Sequence, residues 1–183
     1  MPARLVSVPL VLLLVVQTGS HRASASSVEV TCARATSPGG HKDLAPFCVS
    51  SLQAAPGSGG ADARALAAIA TNLTLANYTA AVATIKSLQQ RLGGSGGGGT
   101  LVRCRTRYIE ALNVVHSAVH ALATGSAPDY VADMRVVRSA ATDCKDALGA
   151  SGDDGPDESP MRKVNEDAVN LTTVAMLIVQ SLE

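Results

Sequence analysis

The sequence predicts an all-α protein: an antiparallel four-helix bundle preceded by an N-terminal hairpin and held by two disulfides. Three observations carry that prediction. Four long segments repeat their apolar residues at 3-4 spacing, and no segment alternates as a strand does. Gly, Pro and Asp clusters separate the segments. Apolar residues make up 46% of the 183-residue chain and aromatics only 2%, so the core must come from Ala, Val, Leu and Ile.

The chain opens on a segment outside the fold. Arg4 precedes a 12-residue stretch, Leu5 to Val16, that is apolar apart from Ser7 and Pro9. An A-x-A site follows at Ala23-Ser24-Ala25. The pattern is that of a signal peptide over residues 1–25; a membrane span needs about 20 continuous apolar residues. Cleavage leaves Ser26 to Glu183, 158 residues with 13 basic and 15 acidic side chains. A chain of that length buries about 68–70% of its unfolded surface, enough for one core. Residues 26–60 are assigned to the hairpin and 61–183 to the bundle.

Four cysteines, Cys32, Cys48, Cys104 and Cys144, lie in the mature part. Secretion makes two disulfides the expectation, with three possible connectivities. Zinc sites need tight pairs such as C-x2-C, and none is present. Three sequons begin at Asn72, Asn77 and Asn170, each an acceptor for N-glycosylation where accessible.

The first bundle helix is expected over about Ala61 to Leu92. Its seam is read as Leu66, Ile69, Leu73, Ala76, Ala80 and Ala83, with Ala81, Ile85, Leu88 and Leu92 taking over later. Asp62 suits the positive end of the helix dipole. Six glycines in the seven residues Gly93 to Gly99 then end the helix. No Lys-Ser/Thr follows, so the run is a flexible turn rather than a phosphate loop. The second helix, about Leu101 to Ala123, aligns Cys104, Tyr108, Ala111, Val115, Ala118 and Leu122. The third, about Pro128 to Leu148, aligns Tyr130, Met134, Val137, Ala141, Cys144 and Leu148, and Ser126-x-x-Asp129 before it resembles a capping box. An acidic linker, Ser151 to Pro160, leads to the fourth, Met161 to Leu182, with Val164, Ala168, Leu171, Ala175, Ile178 and Leu182 aligned. Four such seams with short connections make an antiparallel bundle.

Cys104 and Cys144 both fall on seams, and adjacent antiparallel helices bring such positions within bonding distance. That pairing leaves Cys32 with Cys48, closing a hairpin around Pro38-Gly39-Gly40. The chain-entropy model values the two bonds at about 4 and about 3 kcal/mol.

Little in the sequence suggests chemistry. His116 and His120 are four apart, but Glu does not follow His116, so the H-E-x-x-H pattern is missing. They stand about 120° and 160° from Cys104 around the helix, as exposed residues do. Asp153, Asp154, Asp157 and Glu158 lack EF-hand spacing and read as a solvated linker. No G-x-S-x-G is present. Arg103, Arg105 and Arg107 alternate, point to different sides and read as a solvated helix start. Balanced charge gives no footprint for nucleic acid, and with no Trp and one Phe there is no stacking platform for single strands. The expectation is a protein with no catalytic residue, metal or cofactor. Asn170 lies about 120° from the Val164 seam and is expected to tolerate a glycan; Asn72 and Asn77 lie on flanks.

Several local pieces, taken in order, resemble a known family. They are Ala61-Asp62-Ala63-Arg64-Ala65-Leu66-Ala67, Cys104-x-x-x-Tyr108-x-x-Ala111, Ser139-Ala140-Ala141-x-x-Cys144, and Ser159-Pro160-Met161 followed by Asn165. With the early cysteine pair, they resemble the plant invertase and pectin methylesterase inhibitors over nearly all of Val28 to Leu182. The resemblance implies a helical N-terminal hairpin on a four-helix bundle, with Cys32–Cys48 and Cys104–Cys144 bonds. Two departures stand out: fifteen residues separate Cys32 from Cys48, more than is usual, and the usual additional free cysteine has no counterpart.

The resemblance also implies function: inhibition of pectin methylesterase in the cell wall, or of cell-wall or vacuolar acid invertase. Either is achieved by one-to-one binding that blocks the substrate cleft. Invertase-directed members often carry Pro-Lys-Phe near the start of the third bundle helix. Here Pro128-Asp129-Tyr130 stands in that place, and aspartate disfavours an acidic cleft. The comparison tilts toward pectin methylesterase, opposed by the second and third bundle helices. Pro128, Asp129 and Tyr130 are the candidate partner contacts, with Tyr130 equally a core residue by its seam position. The implied address is the apoplast or cell wall, with the vacuole as the alternative. A reading of another class, a secreted helical protein that holds an apolar ligand between helices, is disfavoured by the small Ala-rich seams.

Overall fold

A computed structural model describes residues 27–91, 98–150 and 159–183. The predicted signal peptide, most of the glycine run and the acidic residues 151–158 lie outside the described residues. Within them the protein is helical, with no strand.

Six α-helices follow in order: α1 (Ser27–Thr36), α2 (Ala45–Gln53), α3 (Ala63–Arg91), α4 (Gly98–Thr124), α5 (Ala127–Ala150) and α6 (Ser159–Gln180). Neighbouring bundle helices pack in a ring, α3 on α4, α4 on α5, α5 on α6 and α6 back on α3. This is the antiparallel four-helix bundle expected from the seams. The α1–α2 hairpin packs on α6 and the adjoining side of α3.

Local chemistry sets the helix ends. The Asp62 carboxylate accepts the Ala65 N–H at 2.8 Å, and the Asp62 carbonyl accepts the Leu66 N–H, so Asp62 caps α3 directly. At the end of α4, Gly125 adopts φ +78°, a conformation that glycine takes without steric cost. It lets the Ser126 N–H reach the Ala121 carbonyl at 2.9 Å. The chain reverses in two residues and α5 begins. The Ser126 hydroxyl donates to the Asp129 carboxylate at 2.6 Å, while the Ser126 carbonyl accepts the Tyr130 N–H. The capping-box residues therefore meet each other through their side chains.

The long Cys32–Cys48 interval folds as two 3-10 turns, Pro38–Gly40 and Lys42–Leu44. Cys32 and Cys48 are fully buried and bonded, with Cα atoms 5.8 Å apart. Cys104 and Cys144 are bonded across α4 and α5, with Cα atoms 4.9 Å apart. The expected connectivity holds, and the extra residues add turns rather than a new element.

The predicted seams hold closely in α4 and α5 and less well elsewhere. On α3 the true seam is Ala67, Ala70, Thr71, Thr74, Tyr78, Ala81, Ile85 and Leu88. Of the first expected set only Leu66 is buried; Ile69 and Leu73 are half-buried, and Ala76, Ala80 and Ala83 are exposed. Counting apolar side chains alone shifted the helix phase. Thr71 and Thr74 can face inward because their hydroxyls donate to the carbonyls of Ala67 and Ala70, at 2.8 and 3.0 Å. On α4, Ala121 rather than Leu122 is buried. The helix also starts inside the glycine run, at Gly98. On α6 buried Asn165 replaces half-buried Val164. Leu171 to Met176 are all buried, because the hairpin covers a second face of α6.

Candidate functional site

The bundle interior shows how α4 and α5 are held. The chain's three tyrosines, Tyr78, Tyr108 and Tyr130, are all fully buried. Buried hydroxyls need partners, and each finds one on a different helix. Tyr78 on α3 donates to the Val137 carbonyl of α5 at 2.8 Å and lies 3.4 Å from the Thr172 hydroxyl of α6. Tyr108 on α4 donates to Asn165 Oδ1 on α6. Tyr130 on α5 meets Thr71 on α3 at 2.7 Å. Thr71 already gives its proton to Ala67, so Tyr130 is the donor. Tyr78 and Tyr108 also meet edge to face with ring centroids 4.9 Å apart. These bonds cross the bundle and tie both diagonals together. Burial pushes Tyr78 and Tyr130 up to about 12 and raises Tyr108 further, with the Tyr78 phenol beside Tyr108 adding to the rise.

Outside, α4 and α5 form a continuous two-helix face. Asp129, Asp133, Val136, Ala140, Asp143 and Ala147 recur along α5 at steps of 4, 3, 4, 3 and 4, one stripe of the helix. At one end His120 and Thr124 of α4 join Asp129 and Asp133 around a depression of about 410 Å³. At the other, Arg103 and Arg107 face Asp143 and Asp146 around one of about 250 Å³, floored by the Cys104–Cys144 bond. Arg107 also pairs with Glu110 at 3.4 Å. Val136 lies midway and is 55% exposed, too open for a core residue. On α4, Val102 and Ile109 are likewise exposed.

The sequence model of the plant invertase/pectin methylesterase inhibitor family matches residues 26–178. The chain belongs to that family. No individual curated protein matches it closely enough to count as a relative. Members of the plant invertase/pectin methylesterase inhibitor family are inhibitors rather than enzymes. Asp129, one of the three candidate contact residues, lies on the α4–α5 face.

Pro128 and Asp129 are exposed at the start of α5. Tyr130 is not: its ring is fully buried and its hydroxyl serves the cross-bundle bond to Thr71. Of the three candidate contacts, Tyr130 is therefore a core residue, and Pro128 and Asp129 remain on the surface. Asp133 and Val136 were missed in the sequence, although their spacing from Asp129 was a usable signal. Asn165 was missed as Tyr108's partner because its seam position was assigned to Val164.

The remaining polar residues sort simply. Arg103, Arg105, Arg107, His116 and His120 are exposed. Among the described residues no three His, Cys, Asp or Glu side chains gather as a metal site would need. Asn72 is exposed, whereas Asn77 and Asn170 are half-buried. Asn170 is more enclosed than its angle from Val164 suggests, because the buried face of α6 is wider than one stripe.

Proposed function

We propose that the protein is a secreted inhibitor of pectin methylesterase that binds one-to-one and covers the substrate cleft with its α4–α5 face. The observation that carries the choice of target is Asp129. It stands exposed where invertase-directed members place a cation, and Asp133 one turn later doubles the negative charge. Two carboxylates at one rim oppose an acidic cleft and lower both affinity and association rate.

The inhibitory act is steric. A face tied by the Cys104–Cys144 bond and braced from behind by three buried tyrosines loses little conformational freedom on binding, so less of the contact energy is offset by ordering. Val136 supplies an apolar centre, with charges at either end setting register and specificity. The bundle interior, where a held ligand would sit, is filled by the tyrosine rings and their hydroxyl partners, which disfavours the ligand-binding reading.

The test is a paired assay. Oxidised Ser26–Glu183 from a secretory host is titrated into pectin methylesterase, followed by methanol release, and into acid invertase, followed by hexose release. The expected outcome is loss of esterase activity with invertase untouched. Inhibition of invertase alone would show that Asp129 does not decide the target.

A further inference from the structure

We infer that Asn72 is the glycosylated asparagine of this chain, and that its glycan stands over the uncharged outer face of α3. The chain offers three sequons, and the fold separates them. A sequon is modified as the chain enters the secretory lumen, but the modified asparagine must then be accommodated in the folded molecule. Asn72 is exposed near the middle of the outer stripe of α3. Asn77 is half-buried, and its side-chain carbonyl oxygen is fully enclosed without a hydrogen-bond partner. A bulky sugar on the adjoining amide nitrogen has to leave through that packing. Asn170 sits half-buried on α6, followed directly by buried Leu171, Thr172 and Thr173.

The surroundings of Asn72 give the glycan a role. No charged residue lies between Arg64 and Lys86, a stretch of 21 residues. Ala65, Ala76, Thr79 and Ala83 are exposed and lie within about 40° of Asn72 around the helix. Among the described residues α3 alone is long and apolar enough to cross a membrane, and 39% of that stretch is buried. An exposed helix face without charge is prone to self-association. A hydrated oligosaccharide rooted in its middle does there what Lys and Glu do on other helices. The α3 face is diagonal to α5, so the sugar stays clear of the groove between α4 and α5.

The transfer consumes a polyprenyl diphosphate-linked oligosaccharide. The bond from Asn72 Nδ2 to the sugar's C1 forms and the C1–O bond to the diphosphate breaks. The diphosphate leaves with the electron pair, and the amide loses one proton to a base of the transferase. The inference rests on the secretory part of the function proposed above, and the test separates the two.

The full chain is expressed in plant cells with its own leader and, in parallel, with a host leader ahead of Ser26. Secreted protein is treated with an amidase that removes N-glycans and converts the modified asparagine to aspartate, then mapped by mass spectrometry. The expected result is conversion at Asn72 alone. The Asn72→Gln variant then loses the mobility shift, and Asn77→Gln and Asn170→Gln keep it. Conversion at Asn77 or Asn170 with Asn72 intact overturns the assignment, as does secreted wild-type protein with no glycan. If only the host-led chain is secreted and carries the Asn72 glycan, the assignment stands and the native leader fails.

Discussion

The polar atoms at the centre of the bundle are held with unequal stringency. Tyr108 gives its proton to Asn165, which is 1% exposed. Tyr130 gives its proton to Thr71, whose own hydroxyl remains satisfied at Ala67 if the phenol is removed. Tyr108→Phe therefore strands a buried amide oxygen and is expected to cost about 1–3 kcal/mol. Tyr130→Phe is expected to cost only about 0.5–1.5 kcal/mol. Urea titrations of the two variants give the comparison, and equal losses would contradict the assigned donors. The same phenols set an alkaline limit. Below pH 10 they are neutral in folded and unfolded chains, so stability does not change on their account. Above pH 10 the unfolded chain ionises first, and stability falls until Tyr78 and Tyr130 ionise in the fold near 12. Two pH units of displacement correspond to about 3 kcal/mol per phenol. Helical circular dichroism followed from pH 9 to 12 should show cooperative loss beginning just above 10. A chain unaltered at pH 12 would contradict the burial of these groups.

At the scale of the helix, legibility depended on what filled each seam. Helices α4 and α5 were legible because apolar residues and cysteines mark their seams at regular steps. Helix α3 is legible as a helix, and its later seam of Ala81, Ile85 and Leu88 holds, but its first half is read out of phase. Its inward face carries Thr71, Thr74 and Tyr78, and a helix can bury such residues by turning hydroxyls onto its own carbonyls or across the core. The breadth of α6 was hidden for another reason: it packs on the hairpin as well as on α3 and α5, a tertiary fact no single-helix pattern contains. The Cys104–Cys144 bond is legible from seam positions, and the Cys32–Cys48 bond from the pair that remains and from the family resemblance. Their loops differ, with 40 residues of separation for Cys104–Cys144 against 16 for Cys32–Cys48. The chain-entropy model gives about 4 against about 3 kcal/mol. Replacing Cys104 and Cys144 by Ser is thus expected to lower the melting temperature more than replacing the early pair. Calorimetry of the two double variants decides it, and the reverse order would show that the hairpin contributes more than loop closure alone.

For the whole molecule, the family and its two-part architecture could be read in the order of short motifs, while the surface proposed to meet the enzyme could not. The sequence pointed to Pro128, Asp129 and Tyr130 as neighbours in line. Folding divides them, sending Tyr130 inward and leaving Asp129 beside Asp133 and His120 from another helix. Spacing alone puts Val136 on the Asp129 stripe of α5, and the fold adds that this stripe stays open beside α4. Because it is 55% exposed, Val136→Arg is expected to leave the melting temperature unchanged while placing a cation at the centre of the proposed contact. A loss of about 1.4 kcal/mol or more in binding is at least tenfold in affinity.

The most direct measurement is a titration of wild-type protein and Val136→Arg, side by side, into pectin methylesterase. The account predicts an end point at one inhibitor per enzyme for the wild type. The variant curve should be displaced at least tenfold, with identical melting temperatures. A folded, oxidised wild-type protein that leaves the esterase fully active would contradict the account, and so would a variant that inhibits as well as the wild type.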